Sequence, residues 1–415
     1  MRLSRDSAQL PEIVVTPETA TPAAPGSAGD PLVQLETRRF DRYDKPPFLQ
    51  RAVVIIDGVM YYEWTTVEVR VATDETPPAT FKLTVSEQEV PRDSTSAFRI
   101  VPGDLCDVFL DGFNVINGFV KTRQVFYDGA SHQVEIQGEG NVGRLTLAAA
   151  TSQTGELPKN IPAIGAISML AGAAGVPTMP IGGLSATPLE QHRITPGASA
   201  WEEITKIAPQ FGGMLTEWFG SLVVGDMTSA VTVGNSVVIE GYNIVEAREV
   251  IHLGMNPGQN SPLLAQRPGN DQVSGADAAQ QQTNSSGSGG GAGVNHATRS
   301  LMELPGWSQG LMALRARHES IVSATNEILV TIGLVGWQRP GIGGLWYPMA
   351  DNVIVDSPML VLRQVPLMLK AVTYTQDDHT GTRAAIELVN KPGSGAVIPL
   401  SKNGGGEQQP QNIPD

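Results

Sequence analysis

Hydrophobic and polar residues alternate over short stretches that begin near Arg51. Every second residue from Val67 to Val71 is a valine, and the segment from Phe81 to Val85 repeats this alternation. A period of two places successive side chains on opposite faces of a strand. The pattern therefore predicts short β-strands, each with one buried face.

Two-residue turns join several of these stretches. Asp57-Gly58 separates an apolar run at residues 52–56 from another at 59–62, and Asp111-Gly112 follows the run at residues 105–110. An Asp-Gly pair between two apolar runs is a strong signal for a β-hairpin. With further strand patterns near residues 115–120 and 132–136, residues 48–150 are predicted to form a first β-barrel-like domain.

The pattern changes in the next segment, where apolar residues recur at helical spacing. A helix is predicted at residues 163–174, and a second one follows Ser199. Ser199 and Glu202 have the spacing of a capping box, in which each side chain binds a backbone N–H of the other residue. Gly212 and Gly213 end that helix before strands at 214–218 and 221–224. Residues 151–230 are predicted to form a small α/β domain.

A second β-barrel-like domain is predicted at residues 231–392. Its strands are expected at residues 231–242, 245–252, 328–334, 346–347, 352–355, 359–364, 368–375 and 384–389, with one helix near residues 309–320. A weak internal repeat supports this division, because an offset of 247 residues aligns five identical pairs. The pairs are Asp104 with Asp351, Val108 with Val355, Val125 with Val372, Tyr127 with Tyr374, and His132 with His379.

Three segments have too few large apolar residues to fold alone. They are a proline-rich arm at residues 1–47, a Gly/Ser/Gln-rich insertion at 256–298, and a C-terminal tail at 393–415. Such compositions cannot bury enough surface to offset the entropy of ordering. The predicted fold is therefore mainly β, with two barrel-like modules that flank an α/β insert, and with a disordered arm, insertion and tail.

Composition and charge exclude several classes of function. The chain has 415 residues, one cysteine, and a formal net charge of −14. A single cysteine excludes an intrachain disulfide framework and a zinc site of several thiolates. The acidic balance argues against a surface that binds nucleic acid, which needs clustered cations. The sequence also has no apolar run suited to a signal peptide or a membrane span, so neither is expected.

The motifs with chemical meaning have ordinary structural interpretations. Gly138, Gly140 and Gly143 match the GxGxxG pattern of dinucleotide sites, but the following residues 144–148 are predicted to be strand-like, so a turn is expected. Asp377-Asp378-His379 is predicted to be a hairpin tip rather than a metal or acid/base site. Neither HExxH nor GxSxG nor a Walker loop occurs. We therefore predict no enzyme activity, no catalytic, cofactor-binding or metal-binding residues, and no cofactor.

An aromatic cluster leaves two interpretations open. Trp337, Trp346 and Tyr347 lie close together among glycines. They would either fill a core or subunit interface from a β-hairpin, or form a platform for a sugar. The first interpretation is the more common use of such residues.

Three ordered stretches carry a resemblance to a known family. The first runs from Pro102 through Asp111-Gly112 to Gly138, and the second from Ile194 through Trp201-Glu-Glu-Ile204 to the strand pair that follows. The third runs from Gly336 to Val389. Together they resemble the baseplate hub proteins of contractile-tailed phages of the Mu-like type, in the late control protein D group. Their order is similar to that of the family across residues 50 to 390.

The resemblance implies a homotrimer whose two β-modules per chain form a ring of six similar units. This ring would adapt the sixfold tail tube to the threefold central spike and leave a channel for DNA, which passes as cargo. The expected partners are the spike, the tail tube or its initiator proteins, and baseplate wedge proteins. The expected location is the virion's tail baseplate, after assembly in the host cytoplasm. Two alternatives remain: the spike base of a type VI secretion-like apparatus, and a baseplate cell-wall lysin or carbohydrate-binding module.

Overall fold

The computed structural model describes most of residues 51–391. The described ranges are 51–56, 58–62, 64–86, 100–127, 132–152, 155–182, 188–189, 192–226, 235–251, 263–266, 283–285, 300–302, 325, 328–349 and 351–391. The arm at 1–47, the predicted helix at 309–320 and the tail at 393–415 lie outside these residues. All structural statements below concern the described part of the chain.

The alternating stretches of the first region form seven antiparallel strands, as predicted. They are β1 (Ala52–Ile56), β2 (Val59–Tyr61), β3 (Thr66–Ala72), β4 (Ala79–Ser86), β5 (Leu105–Leu110), β6 (Phe113–Tyr127) and β7 (His132–Gly140). The Asp-Gly hairpins are confirmed by the pairs Ile56 with Val59 and Leu110 with Phe113. Asp111 and Gly112 both have positive φ, +52° and +81°, as a type I′ turn requires.

The middle region combines helices with short strands. It contains α1 (Arg144–Leu147), β8 (Ile161–Pro162), α2 (Ala163–Ala173), β9 (Thr178–Ile181), β10 (Pro188–Leu189), α3 (Ala200–Ile207), β11 (Gly213–Trp218) and β12 (Ser221–Asp226). The predicted capping box is present: Ser199 accepts from the N–H of Glu202, and the Glu202 carboxylate accepts from the N–H of Ser199. Helices α2 and α3 pack with β12 around a separate hydrophobic core that includes Trp201.

The third region returns to β-structure. Its strands are β13 (Asn235–Ile239), β14 (Ile244–Ile251), β15 (Leu263–Gln266), β16 (Thr283–Ser285), β17 (Ser300–Met302), β18 (Ile328–Val335), β19 (Asn352–Ser357), β20 (Leu362–Asp377) and β21 (Gly381–Asn390). Strands β15, β16 and β17 form a small sheet of their own. The sequence predicted no strands within the insertion at 256–298, yet β15 and β16 lie there.

The first and third regions share one sheet of thirteen strands. Its hydrogen-bonded path runs β14-β18-β21-β20-β3-β4-β7-β6-β5-β1-β2, and β13 and β19 join it beside β20. One hydrophobic core covers both regions, from Val54 and Val69 to Ile332 and Tyr374. The mainly β fold is thereby confirmed, and the two regions pack as one body.

The same strand order occurs twice in this sheet. In the first region β3, β4, β7, β6 and β5 are neighbours in that order, and in the third region β14, β18, β21, β20 and β19 repeat it. The burial pattern repeats as well. Phe81, Leu83 and Val85 point into the core from β4, and Val330, Ile332 and Leu334 do so from the equivalent strand β18.

Strand register shows where the 247-residue offset holds. The offset relates β5 to β19 and aligns Val108 with Val355 within them, and Asp104 with Asp351 directly before them. The long strands β6 and β20 each carry a bulge, at Lys121 and at Lys370, and these bulges are 249 residues apart. The turn before β20 is longer than the turn before β6, which explains why the offset changes from 247 to 249 residues. The remaining three identity pairs are therefore not at equivalent positions.

Three local predictions are wrong. Trp346 and Tyr347 lie in a loop instead of a strand. The strands expected at 359–364 and 368–375 are one long strand, β20, which begins only at Leu362, because residues 365–367 between them pair with β19. Residues 144–147 form a short helix rather than a strand, since the core of the middle region buries Leu145 beside α3.

Candidate assembly site

The glycines of the GxGxxG segment allow close packing. A Cβ atom at Gly138 would overlap the ring of Phe81, and one at Gly140 would overlap the carboxylate of Glu217. A Cβ at Gly143 would lie 2.7 Å from Oε2 of Glu139. Two acidic side chains thus occupy the space beside these glycines that a phosphate would need.

The two carboxylates, Glu139 and Glu217, are buried between the β-sheet and the middle region. Glu139 forms an ion pair with Lys121, and Oε1 of Glu217 accepts from the N–H of Val142 at 3.3 Å. Burial, together with the nearby charge of Glu139, raises the pKa of Glu217 to about 8. A cavity of about 20 Å³ reaches Glu217, which is far too small for a sugar ring. The arrangement joins two parts of the fold and does not form a cleft.

The aromatic cluster is part of the core. Trp337 and Trp346 are buried, and the indole N–H of Trp337 donates to the carbonyl of Thr375 at 3.1 Å. The hydroxyl of Tyr374 accepts from the N–H of Trp346 at 2.9 Å and lies 3.1 Å from its carbonyl. Both indole faces are therefore closed to a ligand. Of the two interpretations left open by the sequence, the structure supports core packing.

Tyr347 connects the loop after β18 to the middle region. Its ring packs edge-on against Trp218, with centroids 6.0 Å apart. Arg339 lies over the same ring and forms a buried ion pair with Asp351, with Nη1 and Oδ1 2.9 Å apart. Asp351 also accepts from the N–H of Tyr347. Packing and charge together fix Tyr347 of this loop against Trp218.

The remaining motif residues have structural partners. Asp377 forms the predicted hairpin tip, where it pairs with Gly381 and accepts from the N–H of His379 at 2.7 Å. Burial raises the pKa of the Cys106 thiol to about 12, so its thiolate is scarce at neutral pH. Among the described residues, no cluster of three or more His, Cys, Asp or Glu side chains is placed to hold a metal ion. Within the same residues, every helix is too short or too polar to cross a membrane.

Sequence reasoning also missed a buried hydrogen bond between His192 and Glu203. Nε2 of His192 lies 2.6 Å from Oε2 of Glu203, and Lys206 binds the other oxygen of Glu203 at 2.7 Å. Burial opposes the ionisation of Glu203, but the hydrogen bonds from Lys206, His192 and Thr195 outweigh it and lower its pKa. The pair holds the segment before α3 against that helix. Its partners are eleven residues apart with no recognisable spacing, so no local pattern could have predicted it.

The two copies of the repeated strand order meet at a strand joint inside the chain. Strand β20 of the third region pairs antiparallel with β3 of the first region, from Ala371 opposite Ala72 to Asp377 opposite Thr66. Arg70 of β3 strengthens the joint, because it donates to Thr373 at 3.0 Å and pairs with Glu387 at 2.8 Å. We call this pairing of β3 with β20 the intrachain joint.

The turn after β3 fastens the middle region to the same joint. The N–H of Thr73 donates to the carbonyl of Lys370, and the carboxylate of Asp74 accepts from the N–H of Leu215 at 2.8 Å. The indole of Trp201 in α3 donates to Thr76 at 2.6 Å. All three parts of the chain are thus connected within a few residues of the joint.

The strands equivalent to those of the intrachain joint have unpaired edges in the described structure. On β6, residues from Lys121 onward pair only with β7, and Val125 and Phe126 are 47% and 53% exposed. On the other side of the sheet, β14 is the terminal strand, and among the described strands it pairs only with β18. An exposed edge that carries apolar side chains is a site for pairing with another strand.

These features define a β-sheet scaffold with open edges, and proteins of known structure share the fold. The 43 kDa tail protein of prophage MuSo2 from Shewanella oneidensis is 20% identical, with a TM-score of 0.64 over 82% of this chain and 98% of that one. A tail protein from Neisseria meningitidis MC58 is 16% identical, with a TM-score of 0.65 over 82% and 96%. The E. coli c3393 protein, a component of the type VI secretion system, is 11% identical, with a TM-score of 0.51 over 83% and 78%.

A family model matches the first region. Residues 51–140 match the N-terminal domain of the Mu phage baseplate assembly protein GpP-like family. No match was found among curated protein sequences. The family match and the shared fold confirm the resemblance to baseplate proteins of Mu-like phages that the sequence indicated.

Proposed function

We propose that the chain is the structural hub of a contractile phage-tail baseplate, a homotrimer that adapts the sixfold tail tube to the threefold central spike. The observation that carries this proposal is the repeated strand order, β3-β4-β7-β6-β5 and β14-β18-β21-β20-β19. Three chains with two such units each provide six similar units in a ring with threefold symmetry. One face of this ring can then match the sixfold tail tube, while the ring as a whole keeps the threefold symmetry of the spike.

The proposal divides the chain by role. Residues 48–150 and 231–392 would be the two barrel-like ring units, and residues 151–230 a small α/β domain attached to them. The arm at 1–47, the insertion at 256–298 and the tail at 393–415 would contact neighbouring baseplate proteins. Support comes from the joint at Thr73–Thr76, which links both ring units and the α/β part.

The proposed role is mechanical and involves no catalysis. The ring would remain attached to the spike and to the tube or its initiator, with wedge proteins around it, in the virion after assembly in the host cytoplasm. DNA would only pass through the channel. The net charge of −14 per chain supports this, because a strongly basic wall would hold the duplex. The buried carboxylates and closed aromatic cluster offer no support for the lysin or sugar-binding alternative.

A spike-base role in a type VI secretion-like apparatus is the second candidate. Its support is the fold shared with the E. coli c3393 protein over 83% of this chain. The family match of residues 51–140 favours the phage role instead.

Electron cryomicroscopy of tail particles that carry an affinity-tagged copy of this chain tests the proposal. We expect three copies in a ring between a sixfold tube and a threefold spike. Two or six copies, or a position outside the central axis, would overturn it. Particles without a contractile sheath and a DNA-filled head would favour the secretion apparatus.

A further inference from the structure

We propose that β14 of one chain pairs antiparallel with the second half of β6 of the next chain, in the same geometry as the intrachain joint between β3 and β20. This inference rests on the proposed trimer and assigns the strands that close it. The partner is a second copy of this chain. The argument comes from the duplicated strand order within the chain.

The first step is the equivalence of the strands. Strand β14 occupies in the third region the place that β3 occupies in the first. Strand β3 pairs with β4, which pairs with β7; in the same way β14 pairs with β18, which pairs with β21. Strand β6 is the equivalent of β20, since their bulges at Lys121 and Lys370 lie at the same point of the ladder. The intrachain joint begins directly after this bulge, at Ala371.

The second step is that one joint is formed within the described residues, whereas the equivalent one is not formed by any described strand. Strand β20 pairs with β19 and then with β3 along one edge, and with β21 along the other. Strand β6 pairs with β5 only as far as Phe119, and among the described strands none follows β5 along that edge. The place that β3 fills beside β20 is therefore open beside β6.

The third step is exposure. Val125 is the register equivalent of Tyr374, which is fully buried at the intrachain joint, but Val125 is 47% exposed. On the other edge Ile251 of β14 is the register equivalent of Val71 of β3; Ile251 is 38% exposed, whereas Val71 is buried. Val125 and Ile251 thus lie on the two edges at positions that pairing would cover.

The register of the intermolecular joint follows from the intrachain one. Tyr374 is opposite Val69, and Thr375 is opposite Glu68. The equivalent pairs are Val125 opposite Glu249 and Phe126 opposite Arg248. Because each chain offers one β6 edge and one β14 edge at opposite ends of its two units, head-to-tail pairing can continue until it closes a ring.

The ion pair of the intrachain joint is not repeated between chains. The equivalents of Arg70, Thr373 and Glu387 are Val250, Gln124 and Gln137, which are uncharged. The intermolecular joint would therefore rest on backbone pairing, without the ion pair that strengthens the intrachain joint. Such a joint can form after the chain has folded and is weaker than the intrachain one.

Disulfide cross-linking tests the register. Residues directly opposite in an antiparallel pair have Cα atoms about 4.5–5.5 Å apart, within the range that a disulfide spans. We expect the full-length Val125→Cys/Glu249→Cys variant, oxidised in assembled tail particles and as purified chain, to give a closed covalent trimer on a non-reducing gel. The matched control, Val125→Cys/Glu246→Cys, displaces one cysteine by about 10 Å along β14 and should remain uncross-linked. The buried Cys106 is left unchanged in both.

Any other result of the cross-linking experiment contradicts the proposed intermolecular joint. A particle that contains three copies but shows no cross-link would disprove this register and leave the trimer intact. A cross-linked band at the monomer mass would mean that another part of the same chain brings the two edges together. A covalent ladder beyond three chains would contradict both the joint's closure and the proposed hub.

A charge-swap pair provides a second, independent measurement. Phe126→Arg would place like charges opposite Arg248 at each of the three joints, and we expect trimer dissociation to rise on the order of tenfold by native mass spectrometry. Phe126→Arg/Arg248→Glu should restore assembly, because the charges then attract. If the single variant assembles like wild type, or the double variant does not recover, the pairing is wrong.

Discussion

Arg70 forms an ion pair with Glu387, a residue 317 positions further along the chain, with Nη1 and Oε1 2.8 Å apart. The same guanidinium binds Thr373 and Glu75. Since Arg70 lies on β3 and Glu387 on β21, the contact crosses β20 and holds the two halves of the sheet together. One side chain thereby stabilises the joint on which the proposed ring geometry is based.

Removal of this side chain should weaken the intrachain joint. We expect Arg70→Ala to lower the free energy of unfolding by about 1–3 kcal/mol, because two half-buried carboxylates lose their charged partner. Urea denaturation monitored by tryptophan fluorescence measures it. The control is Lys82→Ala, which removes a more exposed cation that pairs with the single carboxylate of Glu135, and it should cost less than about 1 kcal/mol. Equal effects of the two variants would contradict the assigned role of Arg70.

The buried carboxylate of Glu217 should make stability depend on pH. Its pKa is raised from 4.5 to about 8 on folding, so the folded state binds this proton more tightly than the unfolded state. The contribution of this protonated carboxyl group to the free energy of unfolding is fully present below pH 4.5 and is lost as the pH rises to about 8. We expect Glu217→Gln to be about 1–3 kcal/mol more stable than wild type at pH 9 and to flatten this dependence.

Thermal unfolding at pH 5, 7 and 9 measures the effect of Glu217. The control is Glu68→Gln, which changes an exposed carboxylate on β3 and should leave the pH dependence as in wild type. A Glu217→Gln variant with an unchanged slope would show that this carboxylate is not the origin of the dependence.

The hydroxyl of Tyr374 should stabilise the loop that carries Trp346. Tyr374→Phe keeps the ring but leaves a buried backbone N–H without its 2.9 Å acceptor. We expect a loss of about 1–3 kcal/mol in the free energy of unfolding. Tyr242→Phe, at a residue that is 83% exposed, is the control and should be neutral. A neutral Tyr374→Phe variant would mean that water replaces the lost partner.

Gly138 should not tolerate a side chain. Gly138→Ala would place a methyl group inside the ring of Phe81, so we expect a loss of about 1–3 kcal/mol or a misfolded product. Gly172→Ala is the matched control, because that helical glycine has open space around it. The control should be neutral or stabilising by about 0.5–1 kcal/mol. Differential scanning fluorimetry compares both, and similar Tm values would refute the packing argument.

The sequence by itself determined the elements whose cause is local. Alternating residues specified strands such as β3 and β4, Asp111-Gly112 specified a hairpin turn, and Ser199 with Glu202 specified the start of α3. Each depends on residues a few positions apart, so periodicity and turn chemistry are sufficient to predict it. The resemblance to Mu-like baseplate proteins also came from ordered local motifs.

Only the tertiary structure decided which distant elements meet. The 247-residue repeat was visible, but indels around β6 and β20 hid the correct register, which the hydrogen-bond ladders reveal. Neither the pairing of β3 with β20 nor the burial of Glu217 and His192 leaves a trace in local sequence. The physical reason is that strand partners and buried charges are selected by contacts across the whole chain. The open edges of β6 and β14 became apparent for the same reason, since an edge exists only relative to a completed sheet.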